Sequence, residues 1–200
     1  MFYEPKKNNH GLPHRPFKAL VGPRPIGWIS TLGRDGIANL APYSFFNAVA
    51  DDPPVVMFSS SGAKDSLRNA QATGEFVCNI VSYAQRDAMN ASSANVPPGV
   101  DEFDLAGLAK AECRIVRAPR VAEAPAALEC RTVKIVDLPG EGGQPNLYRV
   151  VFGLVVGIHI ADEALVDGIV DAVRLNQLAR LGYQDYSVVD KVFPLVRPGD

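Results

Sequence analysis

The segment Ser59-Ser60-Ser61-Gly62-Ala63-Lys64-Asp65-Ser66 follows a short apolar run and leads into a helical pattern, a combination suited to holding an anion. Small hydroxyl residues and Gly62 let backbone N–H groups come close to a ligand. Lys64 adds a positive charge, Ser66 a hydroxyl donor, and the helix N-terminus its partial positive end. The same segment is also what an ordinary capped helix after a serine-rich turn would contain. Two other stretches carry small polar groups. Ser30-Thr31 ends the strand-like segment around Trp28 and could face the same pocket. Asn90-Ala91-Ser92-Ser93-Ala94-Asn95 could hydrogen-bond a polyhydroxyl chain or a heteroaromatic edge, and reads equally as a helix C-terminus with a polar turn.

Familiar catalytic sets are missing. There is no GxSxG, no HExxH, no Walker loop and no GxGxxG after a strand. His159 stands alone in the apolar run 155–160, the setting of a hydrogen-bonded core or interface residue. His10 and His14 have i, i+4 spacing, but Gly11 and Pro13 break the helix that would join them. Asp162, Glu163, Asp167 and Asp171 lack the EF-hand glycine and closing glutamate, so they read as a solvated acidic face. Cys78, Cys113 and Cys130 are odd in number and without a CxxC pair. They read as reduced, mostly buried thiols of a cytoplasmic protein. No protein nucleophile or metal cage stands out, so an enzyme made of this chain would depend on a bound cofactor.

The elements that must position these groups are numerous and short. Seventeen glycines and sixteen prolines in 200 residues exceed the average share of about 12% and point to many turns. Apolar residues make up 47% and charged ones 21%, with 20 Lys+Arg against 22 Asp+Glu. That balance argues against disorder, and a basic excess for phosphate contacts with nucleic acid is missing. No apolar run reaches the ~18 residues of a bilayer span. Residues 1–15 lack the apolar stretch of a secretory signal and read as a solvated arm ahead of a single domain with its core at about 16–190.

Residues 24–32 read as a strand, and Gly33-Arg34-Asp35-Gly36 as a hairpin turn returning through Ile37 to Tyr43. Pro53-Pro54 stops the ladder after Ser44 to Val49, and Val55 to Phe58 is continuously apolar, as a fully buried strand would be. Asp65 or Ser66 is the expected cap of a helix with Leu67, Ala70 and Gln71 in its body, and Gly74 supplies the left-handed stop after Thr73. Phe76 to Val81 is a strand, Tyr83 to Ala91 a helix, and 95–107 a loop. Strands follow over Ala111 to Arg117, Ala126 to Asp137 and Leu147 to Ile160, with an exposed loop at 139–143. Leu175 to Leu181 reads as a short helix that Gly182 ends. Without regular β-α-β alternation, the expected fold is mainly β, a closed antiparallel barrel with a few short flanking helices.

Taken in order, the motifs resemble the flavin reductase-like family of FMN-binding split β-barrels, a Greek-key-like antiparallel fold. The resemblance runs through HGLPHRPFKALVGPRPIGWISTLGRDG (10–36) and NLAPYSFFNAVADDPPVVMFSSSGAKDSLRNAQATGEFVCNIV (39–81). It continues through MNASSANVPPGVDEFDLAGL (89–108), ALECRTVKI (127–135) and ARLGYQDYSVV (179–189). It implies a homodimer with FMN at the subunit boundary. Ser30 and Thr31 then correspond to positions near the flavin phosphate and ribityl chain, and Ser44, Phe45, Phe46 and Asn47 to the strand along the isoalloxazine edge. Ser59, Ser61, Lys64, Asp65 and Ser66 match the phosphate-side loop, while Asn90, Ala91 and Ser92 match a run that contacts flavin across the dimer. Arg180 and Tyr183 fall in a segment that closes the pocket. The chain departs from many relatives at Tyr183, where they have glycine, and at Ser66, where they have threonine.

The implied activity is an NAD(P)H:flavin reductase, with a nicotinamide stacked on the exposed ring face as hydride donor and NAD(P)H as co-substrate. Main-chain donors beside the ring would favour the charge that develops on reduction. An FMN-binding electron carrier or flavin store without nicotinamide turnover is the alternative, and a split barrel serving only as an interaction or sensing module is a third. The sequence leaves open whether the electrons go to an oxygenase or to another acceptor. It offers no feature for nucleic acid or membrane.

Overall fold

The structure is a computed structural model that describes residues 1–199. Helix α1 (Phe17–Leu20) precedes strands β1 (Arg24–Pro25), β2 (Gly27–Leu32), β3 (Ala38–Tyr43), β4 (Phe46–Asp51) and β5 (Pro54–Ser61). Helix α2 (Asp65–Thr73) leads to β6 (Glu75–Ile80), then to α3 (Arg86–Ala91) and α4 (Glu102–Leu105). Short strands β7 (Lys110–Ala111) and β8 (Arg120–Val121) come before the long β9 (Ala126–Pro139) and β10 (Pro145–Ile160). The chain ends through β11 (Leu165–Val166), β12 (Ile169–Val170), α5 (Ala172–Leu175), β13 (Leu178–Arg180) and β14 (Tyr186–Val188).

The main sheet is antiparallel and has the order β3-β2-β6-β9-β10-β5-β4. Its two outer strands, β3 and β4, are consecutive in the chain with only Ser44 and Phe45 between them, so the sheet must curl until its edges meet. The fold is therefore mainly β, a barrel whose seam lies where β3 and β4 come together without a shared ladder. The Ser59 N–H donates to the Phe45 carbonyl at 2.8 Å and ties the seam to β5.

Strand β2 explains the packing on both sides of the sheet. Successive side chains point to opposite faces. Ile29 enters the barrel interior with Phe46, Val56, Phe58, Phe76 and Val151. Trp28 faces outward into a second buried cluster with Leu40, Met89, Phe103, Val121 and Leu178. Both faces of β2 are covered, so even its polar residues Ser30 and Thr31 are fully buried. The Trp28 indole N–H donates to Ser92 Oγ at 2.9 Å and fixes the end of α3 against the barrel.

Several expectations are corrected. Strand β5 alternates, with Val56, Phe58 and Ser60 inside. Its run Val55 to Phe58 is continuously apolar because Met57, on the other face, lines a cavity. Of the strand expected over Ala111 to Arg117, only its first residue lies in a strand, β7. The following turn is instead held by the Glu129 side chain, which accepts hydrogen bonds from the N–H groups of Arg114, Ile115 and Val116. The loop expected at 95–107 contains α4, capped by the Asp101 carboxylate accepting from Phe103 N–H.

The helix expected over Leu175 to Leu181 ends at Leu175, because Asn176 adopts φ +48°. The chain then extends as β13 between β1 and β14. Gly182 has a different task from capping. A Cβ there would lie 2.4 Å from Ala19 Cβ, so glycine permits the segment before β1 to pack on the C-terminal turn.

The N-terminal arm is not solvated throughout: Lys6 pairs with Glu141, the His14 ring lies 5.4 Å from that of Tyr183, and His10 is buried. No helix among the described residues is long and apolar enough to cross a membrane.

Candidate functional site

Two cavities lie on either side of the stretch that joins β3 to β4. The first, about 360 Å³, is polar and lies at the start of α2. Lys64 is the helix N-cap, and no side chain caps that end. Asp65 and Ser66 are the first helical residues rather than caps, contrary to the sequence expectation. The opening N–H groups of a helix have no partner within it, so an uncapped end offers them to an anion. Lys64 is exposed and forms no ion pair among the described residues. Arg68, one turn on, pairs with Asp65 and donates to the Ala63 carbonyl at 2.9 Å. Gly62 enters the loop at φ +74°, a conformation that favours glycine, and its N–H donates to the Leu147 carbonyl.

Beneath this cavity lies a buried polar network. Ser66 Oγ donates to Asn39 Oδ1 at 2.7 Å, and Asn39 Nδ2 donates to Glu102 Oε2 at 2.8 Å. The Leu40 N–H donates to the same carboxylate oxygen at 3.0 Å, and Asn69 Nδ2 donates to Thr31 Oγ1 at 3.1 Å. Burial pushes the Glu102 carboxyl above its usual range, although the hydrogen bonds from Leu40 and Asn39 pull the other way. Ser66 and Asn69 thus hold α2 against β3 and β2 beneath the site, through Asn39 and Thr31.

The second cavity, about 580 Å³, is apolar, with Phe45, Phe46, Met57 and Val150 among its walls. Ser44, Asn47 and Ser59 line it too. So does Arg24, which is buried and whose Nε has no hydrogen-bond partner among the described residues. Its other nitrogens are engaged, with Nη2 donating to the Leu181 carbonyl at 2.7 Å and Nη1 to the carbonyls of Lys18 and Val21. The guanidinium sits 6.0 Å from the Phe45 ring centre. Burial and the nearby Arg180 lower the Arg24 pKa from its ordinary value.

The residues singled out from the sequence are distributed unevenly. Lys64, Asp65, Ser66 and Ser92 line the polar cavity. Ser44, Phe45, Phe46, Asn47 and Ser59 line the apolar one. Ser61 ends β5 immediately before the loop that leads into α2. Ser30 and Thr31 are fully buried and line neither; Ser30 donates to the Pro119 carbonyl at 2.6 Å. Asn90 and Ala91 are exposed on α3. Arg180 pairs in register with Arg24, while Tyr183 stands in a third cavity beside the arm.

Asn39, Glu102 and Arg24 were not singled out. The hairpin register already places Asn39 opposite Thr31, a signal present in the Asp35-Gly36 turn. Arg24 is a charge between two prolines entering a buried strand, another readable oddity. Glu102 has no local signal, because its partners lie more than sixty residues away.

Away from both cavities, Cys113, Glu129 and His159 gather with candidate ligand atoms within 4.8 Å. Burial alone would raise the Glu129 carboxyl, but hydrogen bonds from Arg114, Val116, His159 and Ile115 outweigh it and hold the group at about 2. An ionised carboxylate only accepts, so the His159 imidazole donates to it, at 2.6 Å. All this accepting capacity is used by the fold, and burial pushes the Cys113 thiol up to about 12. The cluster is an anchor for the 113–116 turn rather than a metal cage.

Comparison with known proteins bears on the family and the fold. The model of the flavin reductase like domain matches residues 22–183. An uncharacterized protein of Halalkalibacterium halodurans is 34% identical over 190 residues, covering 91% of this chain and 90% of that one. Nitrilotriacetate monooxygenase component B from Bacillus cereus superposes with a TM-score of 0.90 at 30% identity over 98% of both chains. The Pseudomonas fluorescens 2-nitrobenzoate 2-nitroreductase gives 0.85 at 26% identity, covering 100% of this chain and 97% of that one.

Proposed function

The chain belongs to the flavin reductase-like domain family, and from that premise we propose that it is an FMN-binding oxidoreductase, an NAD(P)H:flavin reductase that takes hydride from a nicotinamide. The observation that carries this reading is the pairing of two unlike cavities at one seam. A polar one sits at an uncapped helix end with an unpaired lysine, and an apolar one adjoins the strand connection. FMN has that division, a phosphate at one end and a planar ring at the other.

Lys64 and the first N–H groups of α2 would hold the phosphate, with Ser61 and Ser92 beside them. Ser44 to Asn47 would run along the ring edge, where Phe45, Phe46 and Met57 exclude water. The partnerless Nε of Arg24 is the orphaned donor expected where a carbonyl or anionic ring atom belongs. When bound, the flavin supplies the redox chemistry that the chain's side chains lack.

A homodimer with FMN at the subunit boundary is part of the proposal. Its support is β4, an outer strand with five of six residues exposed, and the exposed Asn90 and Ala91. A cytoplasmic location is supported by three unpaired thiols.

The test is direct. The purified protein is titrated with FMN and followed by its visible band, then reduced anaerobically with NADH and with NADPH. Binding followed by bleaching and nicotinamide oxidation supports the reductase. Binding with negligible turnover would make the protein an electron carrier or flavin store, and failure to bind FMN sinks the reading.

A further inference from the structure

A third cavity of about 550 Å³ adjoins the apolar one and shares Phe17 and Tyr148 with it. Its remaining walls come from the N-terminal arm, from Pro16 and Lys18 at the start of α1, and from Tyr183. Rings dominate these walls: Tyr3, His10, His14, Phe17, Tyr148 and Tyr183. Arg15 and Lys18 are the cationic side chains among the lining residues, and no carboxylate is among them. Neither Arg15 nor Lys18 is in an ion pair among the described residues. The arm's other two cations are engaged, Lys6 with Glu141 and Lys7 with Glu4.

Two details mark this as a shaped compartment. Tyr183 holds φ +55°, a left-handed conformation that is costly for a residue with a bulky side chain. Held there, its ring meets that of His14 with centres 5.4 Å apart. His10, by contrast, is fully committed. Its Nδ1 accepts from the Leu12 N–H at 2.9 Å and its Nε2 bonds Asn8 Oδ1 at 3.1 Å, so it serves as wall and leaves no nitrogen for a ligand. The cations without an ion pair are on Arg15 and Lys18, and of the lining rings Tyr183 tilts against His14 and Tyr148 against Phe45, 6.0 Å between centres.

We propose that this compartment binds an aromatic carboxylate beside the edge of the flavin site. The tyrosine rings would sandwich a planar ring, and Arg15 and Lys18 would take its carboxylate, as charge-assisted donors do. The inference rests on the flavin reading above only for what lies next door; the compartment's own ligand chemistry is independent of it.

The test uses the full chain with FMN added. Benzoate, its neutral isostere benzamide and NADH are titrated by calorimetry, while the visible flavin band is recorded in parallel. Benzoate binds at least about tenfold tighter than benzamide and perturbs the band, as expected for one net charge-assisted contact. The double variant R15Q/K18Q removes that preference. Y183G weakens benzoate by about fivefold, the size of a lost ring contact. Its melting temperature does not fall, because glycine relieves the strained backbone.

Equal binding of benzoate and benzamide, wild-type affinity in the variants, or binding of NADH without benzoate overturns the inference. A protein that binds benzoate with this selectivity yet takes no FMN refutes the flavin reading alone.

Discussion

Glu129 is nearly inaccessible and its two oxygens accept four hydrogen bonds, from three backbone N–H groups and from His159. Replacing it in E129Q keeps the shape but turns one accepting oxygen into an NH2 that confronts donors. The magnitude follows from the carboxyl being held at about 2 against an ordinary 4.5. At ~1.36 kcal/mol per unit, the ionised form gains about 3 kcal/mol in the fold. A depressed carboxyl stabilises the fold fully above its unfolded pKa, and the contribution fades as pH falls toward the folded one. The gap between wild type and E129Q is therefore about 3 kcal/mol at pH 7, roughly 6–12 °C in melting temperature for a chain of this size. By pH 3 linkage removes about 2 kcal/mol of it. Thermal denaturation followed by circular dichroism at pH 7, 5, 4 and 3 measures both numbers. A gap that stays constant across that range, or is missing at pH 7, refutes the account of Glu129 as an ionised anchor of the 113–116 turn.

Three further outcomes follow from the geometry. Lys64→Ala removes an exposed, unpaired cation at an uncapped helix end, so FMN binding weakens about tenfold or more while the melting temperature stays within about 2 °C; unchanged affinity by fluorescence titration removes Lys64 from the phosphate role. Gly153→Ala would put a Cβ 2.3 Å from the fully buried Phe76 ring, an overpacking that costs about 1–3 kcal/mol by urea denaturation; wild-type stability would mean that the barrel interior is looser than its geometry implies. Gly182→Ala would drive a Cβ to within 2.7 Å of the Ala19 backbone and lift the arm, speeding tryptic cleavage at Lys18 at least about threefold; an unchanged cleavage rate would show that the close contact does not hold the arm down.

Much of the barrel was legible because its signals are local. The Asp35-Gly36 turn sets the β2–β3 register, Gly74 at φ +74° stops α2, and two prolines mark the corner between β4 and β5. The C-terminal segment was misread because Leu175 to Leu181 has helical composition, while sheet pairing with β1 and β14 outweighed it. The turn after β7 was misread for a similar reason: its backbone donors are satisfied by Glu129, a side chain on another strand.

The sequence by itself determined the fold class, the small-residue loop ahead of a helix, and the apolar stretches that line the barrel, since each depends on neighbours along the chain. Only the tertiary structure decided which of those groups meet. It turned Ser66 and Thr31 inward to Asn39 and Glu102, left Lys64 outside without a partner, brought Arg24 into an apolar cavity, and laid the arm against Tyr183. Those meetings span tens to more than a hundred residues of chain. They arise when a sheet curls far enough for its first and last strands to share an edge, which no local pattern encodes.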